Sequence, residues 1–90
     1  MKALKNLMLK WKKTYLSKKE SVTYRVLARV ELENFLNHGR CNLRRPNGEK
    51  AHILMRDAIS RNYRIILENG TEIFYRNLED LIEDGWTIIG

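Results

Sequence analysis

Residues 62–90 read NYRIILENGTEIFYRNLEDLIEDGWTIIG, and the fold turns on them. Two apolar runs, Tyr63 to Glu68 and Thr71 to Arg76, flank the dipeptide Asn69-Gly70. Asn-Gly is the strongest short hairpin signal, because a two-residue type I′ turn needs φ > 0 at both positions and these residues tolerate it best. Asn77 can then cap a short helix over 78–84, whose apolar residues are Leu78, Leu81 and Ile82. Gly85 can take the left-handed conformation that ends this helix, and Trp86 to Ile89 has the composition of a last strand. A hairpin, a helix and a strand follow one another.

Upstream, residues 40–56 predict a second hairpin. Its runs are Arg40 to Arg45 and Lys50 to Met55, around Pro46-Asn47-Gly48, where proline sets φ and glycine permits a positive value. Alternation puts Arg40, Asn42 and Arg44 on one face and Cys41 and Leu43 on the other. A helix continuing from Lys50 to Ile59 is the competing reading; otherwise 57–61 is a polar connection. Residues 22–33 also alternate, through Val22, Tyr24, Val26, Ala28, Val30 and Leu32. A helix through Tyr24, Leu27, Ala28, Leu32 and Phe35, stopped at Gly39, competes with that pattern. Three valines and Thr23 favour a long strand, with 33–39 as a corner or short helical turn.

At the front, residues 2–17 predict an amphipathic helix. Leu4, Leu7, Met8, Trp11 and Tyr15 form its stripe, and Lys2, Lys5, Asn6, Lys12 and Lys13 cover the other side. The predicted fold is α+β in one domain over 1–90. A basic amphipathic helix within 1–19 packs on a mainly antiparallel sheet of about five strands over 21–90, with a short helix near the C-terminus. Leu4, Leu7, Trp11, Val26, Val30, Ile65, Leu67, Ile73, Leu81 and Trp86 are the expected core.

Ninety residues with 43% hydrophobic side chains suffice for one core. No uncharged apolar run approaches the ~20 residues of a membrane span, and lysines interrupt every candidate signal-peptide core. Cys41 is the only cysteine, which makes a reducing cytoplasm the natural compartment. The net charge of +6 is unevenly spread. Residues 1–20 carry seven lysines and one glutamate, 21–65 carry nine basic and four acidic side chains, and 66–90 carry Arg76 and six carboxylates. A basic front and an acidic tail either serve a polyanionic partner or neutralise each other within the fold.

No catalytic motif is present, and no cofactor is expected. His38-x-x-Cys41 with the distant His52 offers three zinc ligands and lacks a fourth, so no metal site is expected. Glu79, Asp80, Glu83 and Asp84 look like paired carboxylates, yet Asp80 and Glu83 or Asp84 belong to the wet face of a short helix, and Glu79 and Asp80 suit the positive end of its dipole. The five glycines are scattered and form no phosphate loop.

What remains is a basic surface. Lys5, Lys12 and Lys13 lie on the front helix, Arg25 and Arg29 four residues apart on the predicted long strand, and Arg40, Arg44 and Arg45 beside a turn as a protruding ribbon. Several cations on one side are what phosphate binding needs, since each contact releases counterions, and a ribbon can enter a groove. The expected function is that of a non-catalytic binder of nucleic acid, DNA or RNA, or of a nucleoprotein complex. The alternative is an inhibitor or regulator of a larger protein, of the kind found among short, lysine-rich accessory proteins of phages and mobile elements. An amphipathic membrane-surface protein, with Trp11 and Tyr15 at headgroup depth, ranks last.

Overall fold

The computed structural model describes residues 16–89. Two hairpins with the same loop chemistry build its sheet: β1 (Arg40–Arg44) with β2 (Lys50–Leu54), and β3 (Tyr63–Leu67) with β4 (Glu72–Tyr75). In each loop the glycine N–H bonds to the carbonyl three residues back, Gly48 to Arg45 and Gly70 to Leu67, both at 2.9 Å. Only the glycines take positive φ, 94° at Gly48 and 90° at Gly70. The expected type I′ turn at Asn69-Gly70 is therefore corrected to a three-residue loop closed by a glycine bulge. The Asn69 side chain favours this form by accepting from the Thr71 N–H at 2.9 Å, as Asn47 does from Glu49 at 2.9 Å.

The strand order is β4-β3-β2-β1-β5, antiparallel at each pairing, with β5 (Thr87–Ile88) beside β1. After four consecutive strands, the helix Leu78–Glu83 carries the chain back across the sheet. Asn77 caps it by accepting from the Asp80 N–H at 2.8 Å, and Gly85 follows with φ 99°, both as expected.

The long strand predicted over 22–33 is a helix, α1 (Lys18–Arg29), followed by a 3-10 turn at Leu32–Phe35. Two local facts override the alternation. Ser17 and Glu20 form a reciprocal capping box, each side chain bonded to the other's backbone N–H. Thr23, Val26 and Leu27 then fall at helical spacing and are buried, so the leucine that breaks a period of two fits a period of 3.6. Arg25 and Arg29 accordingly lie on a helix. The polar connection expected at 57–61 begins within a second short helix, α2 (Met55–Ile59), and the helix Leu78–Glu83 is α3.

The front helix predicted over 2–17, with Lys5, Lys12, Lys13, Leu4, Leu7 and Trp11, lies outside the described residues except at its end. Leu16 and Ser17 are not helical, and Lys18 and Lys19 belong to α1. The core beneath the sheet joins Val26, Leu27, Leu43, Ile53, Ile65, Leu81, Ile82 and Trp86. Val30, Leu67 and Ile73 are half-buried at its margin.

Thr23 ties α1 to the last strand. Its side chain is fully buried; the hydroxyl donates to the Lys19 carbonyl at 2.7 Å and accepts from the Ile88 N–H at 3.0 Å. Thr23→Val keeps the shape but strands that N–H. It is expected to cost about 1–3 kcal/mol, read as a lower urea midpoint at unchanged slope, whereas Thr23→Ser retains most of the stability.

Candidate functional site

Alternation divides each strand between two faces. Cys41, Leu43, Ala51 and Ile53 point into the core, leaving Arg40, Asn42, Arg44, Lys50 and His52 on the opposite, open face. The register sets Arg44 directly across from Lys50 and Asn42 across from His52. His52 in turn lies across from Ile66, and Ile66 from Glu72.

The arginines divide by partner. Arg64 is held by Asp57 at 2.9 Å and Glu72 at 3.3 Å, and Arg25 by Glu31 at 2.9 Å. Asp57 is itself buried, a position that the polar composition of 57–61 did not signal. Arg61 donates to the Ala28 carbonyl at 2.8 Å near the end of α1. Arg40, Arg44, Lys50 and Arg29 are exposed, and among the described residues none of them has a carboxylate partner.

Arg45 does not protrude. Its guanidinium lies 4.6 Å from the Trp86 ring centroid, bonds to Glu49 and reaches Asp84 at 2.9 Å. Burial alone would lower its pKa, but the bond to Glu49 and the charge of Asp84 hold it above the ordinary value. The same Asp84 oxygen accepts from Tyr75, whose hydroxyl accepts from the Trp86 Nε1–H at 2.9 Å. The turn at Pro46 is thus docked against residues 84–86, and the ribbon keeps Arg40 and Arg44 as its outward cations.

Two hollows border these cations. One of about 580 Å³ lies between the start of α1 and the β1–β2 turn, with Lys19, Arg44 and Lys50 in its wall. Another of about 410 Å³ lies on the open face and includes Arg40, Asn42, His52, Glu68 and Ile89. The positive field is legible in His52, whose pKa is lowered by burial and by the charges of Arg40 and Arg64.

The three zinc ligands weighed from sequence do not converge. Cys41 is buried on the core side, where burial pushes its thiol up to about 11, whereas His52 is on the open face. Among the described residues no group of three or more His, Cys, Asp or Glu side chains could hold a metal ion. No described helix is long and apolar enough to cross a membrane. No family model, curated protein or solved structure matches the chain.

The closed network and the open cations are expected to respond differently to mutation. Arg45→Ala removes the contact with Trp86 and should cost about 1 kcal/mol, whereas Arg44→Ala should stay within about 0.5 kcal/mol; thermal melts measure both. Burial and the bond to Asp84 raise Tyr75 to about 12. A raised folded pKa contributes stability that is complete below the unfolded value of ~10 and is lost as pH rises through the folded one. Ultraviolet titration should show this tyrosine ionising near 12, and Tyr75→Phe should remove that step.

Proposed function

We propose that the chain is a non-catalytic nucleic-acid-binding protein that contacts phosphates through the β1–β2 end of its open sheet face. The observation that carries this reading is the set Arg40, Arg44 and Lys50, exposed on one face without carboxylate partners among the described residues. Like charges directly opposite one another on paired strands cost stability. Arg44 across from Lys50 is therefore a poor choice for holding a sheet together and a good one for a polyanion. Asn42 and His52, between the cations, can hydrogen-bond to sugar or base edges. Arg45 is left out of the contact set, because its charge is engaged inside the fold.

The alternative, a regulator that binds a larger protein, draws on exposed Leu32, Leu36 and Ile59 outside the sheet. Scattered surface apolar residues are ordinary, so the cationic face is the stronger signal. Binding to labelled single- and double-stranded DNA and RNA, followed by fluorescence anisotropy at several salt concentrations, tests the proposal. The triple variant Arg40→Ala, Arg44→Ala, Lys50→Ala should weaken binding to unrelated sequences about equally. Its slope of log K against log salt should become shallower by roughly one unit per lost phosphate contact. Arg45→Ala should leave the slope unchanged. If the triple variant binds like the parent, this face is not the interface.

His52 supplies a second readout. In the unbound fold the imidazole is held below its ordinary pKa, and neighbouring phosphates favour its charged form. Affinity should therefore rise as pH falls below neutrality, because the bound imidazole gains its proton before the free one does. His52→Gln should flatten that dependence without changing the salt slope at pH 8.

A further inference from the structure

The outer side of β4 supports an inference independent of nucleic-acid binding. The Leu67 N–H bonds to the Thr71 carbonyl at 2.8 Å, so these two residues form a hydrogen-bonded pair at the loop. Bonded and non-bonded pairs alternate along an antiparallel ladder. The register pairs Ile65 with Ile73 and Tyr63 with Tyr75, so Ile73 and Tyr75 direct their backbone groups at β3. Glu72 and Phe74 direct theirs away from the sheet, and Arg76 comes two residues after Phe74, just past the last residue of the strand. Among the described residues no strand pairs with this side of β4.

The side chains at this two-residue spacing are Glu72 and Phe74 on the strand and Arg76 just after it. Phe74 is 65% exposed, unusual for its size. Glu72 reaches Arg64 at 3.3 Å and Arg76 reaches Asp80 at 3.1 Å, yet their side chains remain 45% and 83% exposed. Edge strands are normally blunted by charges that repel a second strand. Here two opposite charges stand two residues to either side of an exposed aromatic ring, so the pattern is complementary to its own reverse.

We propose that two copies of this chain pair through β4, antiparallel, about a two-fold axis at Phe74. That register makes Phe74 a hydrogen-bonded pair with its own copy and sets Glu72 of each chain against Arg76 of the other. It uses the outward backbone groups of Glu72 and Phe74 and pairs each residue with the same patch of the other copy, as an isologous interface requires. The neighbouring registers of the same phase, centred on Ile73 or Tyr75, set Phe74 against Glu72 or Arg76 of the other chain and leave the Glu72–Arg76 pairs unformed, and those centred on Glu72 or Arg76 oppose like charges. The result is one continuous sheet whose open faces lie on the same side.

Sedimentation equilibrium on the full chain, without nucleic acid, tests the pairing. The parent is expected to show a concentration-dependent dimer. Glu72→Arg and Arg76→Glu each oppose like charges twice and should weaken the dimer about tenfold. The double variant, Glu72→Arg with Arg76→Glu, should restore it, with melting curves showing that each protein is folded. Amide exchange gives a second measure that needs no variant: protection at Glu72 and Phe74 should rise with protein concentration. A monomer at every submillimolar concentration overturns the proposal. So does a dimer that ignores both single reversals, or one that the double reversal fails to restore.

Discussion

The way the chain returns from β4 to β1 depends on Trp86. Its side chain is fully buried, its ring lies under Arg45, and its N–H bonds to Tyr75 on β4. Asp84 accepts from Tyr75 and Arg45 together, so one carboxylate joins the far edge strand to the β1–β2 turn. Gly85 completes the contact. Its φ of 99° disfavours any side chain, and a Cβ there would meet Pro46 Cδ at 3.3 Å. With this corner set, Ile88 lies across from Leu43, and its N–H meets the Thr23 hydroxyl. The first helix of the described residues is thus registered on the last strand through a hydrogen bond as well as through apolar burial.

That corner explains why three neighbouring arginines have different fates. Arg40 and Arg44 alternate with the core residues Cys41 and Leu43, so the strand turns their side chains outward. Arg45 comes after the strand, at the first position of the turn, where the period of two no longer applies and Trp86 lies within reach. An indole face and two carboxylates outweigh hydration for a guanidinium, which is only weakly hydrated. Proximity in sequence to a basic ribbon was a poor guide to where the third charge would go.

Much of the sheet was readable because turn chemistry is local. Asn-Gly and Pro-Asn-Gly mark chain reversals whatever surrounds them, and Asn77 and Gly85 bracket α3, the one by its side-chain cap and the other by its positive φ. The loop type at Asn69-Gly70 was not readable, since a two-residue and a three-residue loop share the same dipeptide. The sequence of α1 points to a strand because valine and threonine, spaced evenly, satisfy a period of two, while β-branching argues against a helix. The signal that outweighed them was Ser17-Lys18-Lys19-Glu20, a capping box that lies before the alternating residues rather than among them. Of the candidate site, the outward set Arg40, Asn42 and Arg44 followed from alternation. Lys50 and His52 joined it only through strand register, which needs the partner strand.

If the acidic tail existed to neutralise the basic front, its carboxylates should reach across to that front's cations. Asp84 does so with Arg45 and Glu72 with Arg64, but Asp80 pairs with Arg76 from the tail itself. Glu79 instead accepts from the Tyr24 hydroxyl at 3.4 Å, joining α3 to α1 without consuming a cation. Both crossing pairs lie where strands or turns must be held. Neither touches Arg40, Arg44 or Lys50. Internal pairing therefore follows the mechanical joints of the domain, and it leaves the cations on the outer face of β1 and β2 without a carboxylate partner among the described residues. A surface charge with no structural partner costs little in water, but Arg44 facing Lys50 gains nothing for the sheet either. Their charge is available to whatever approaches the open face.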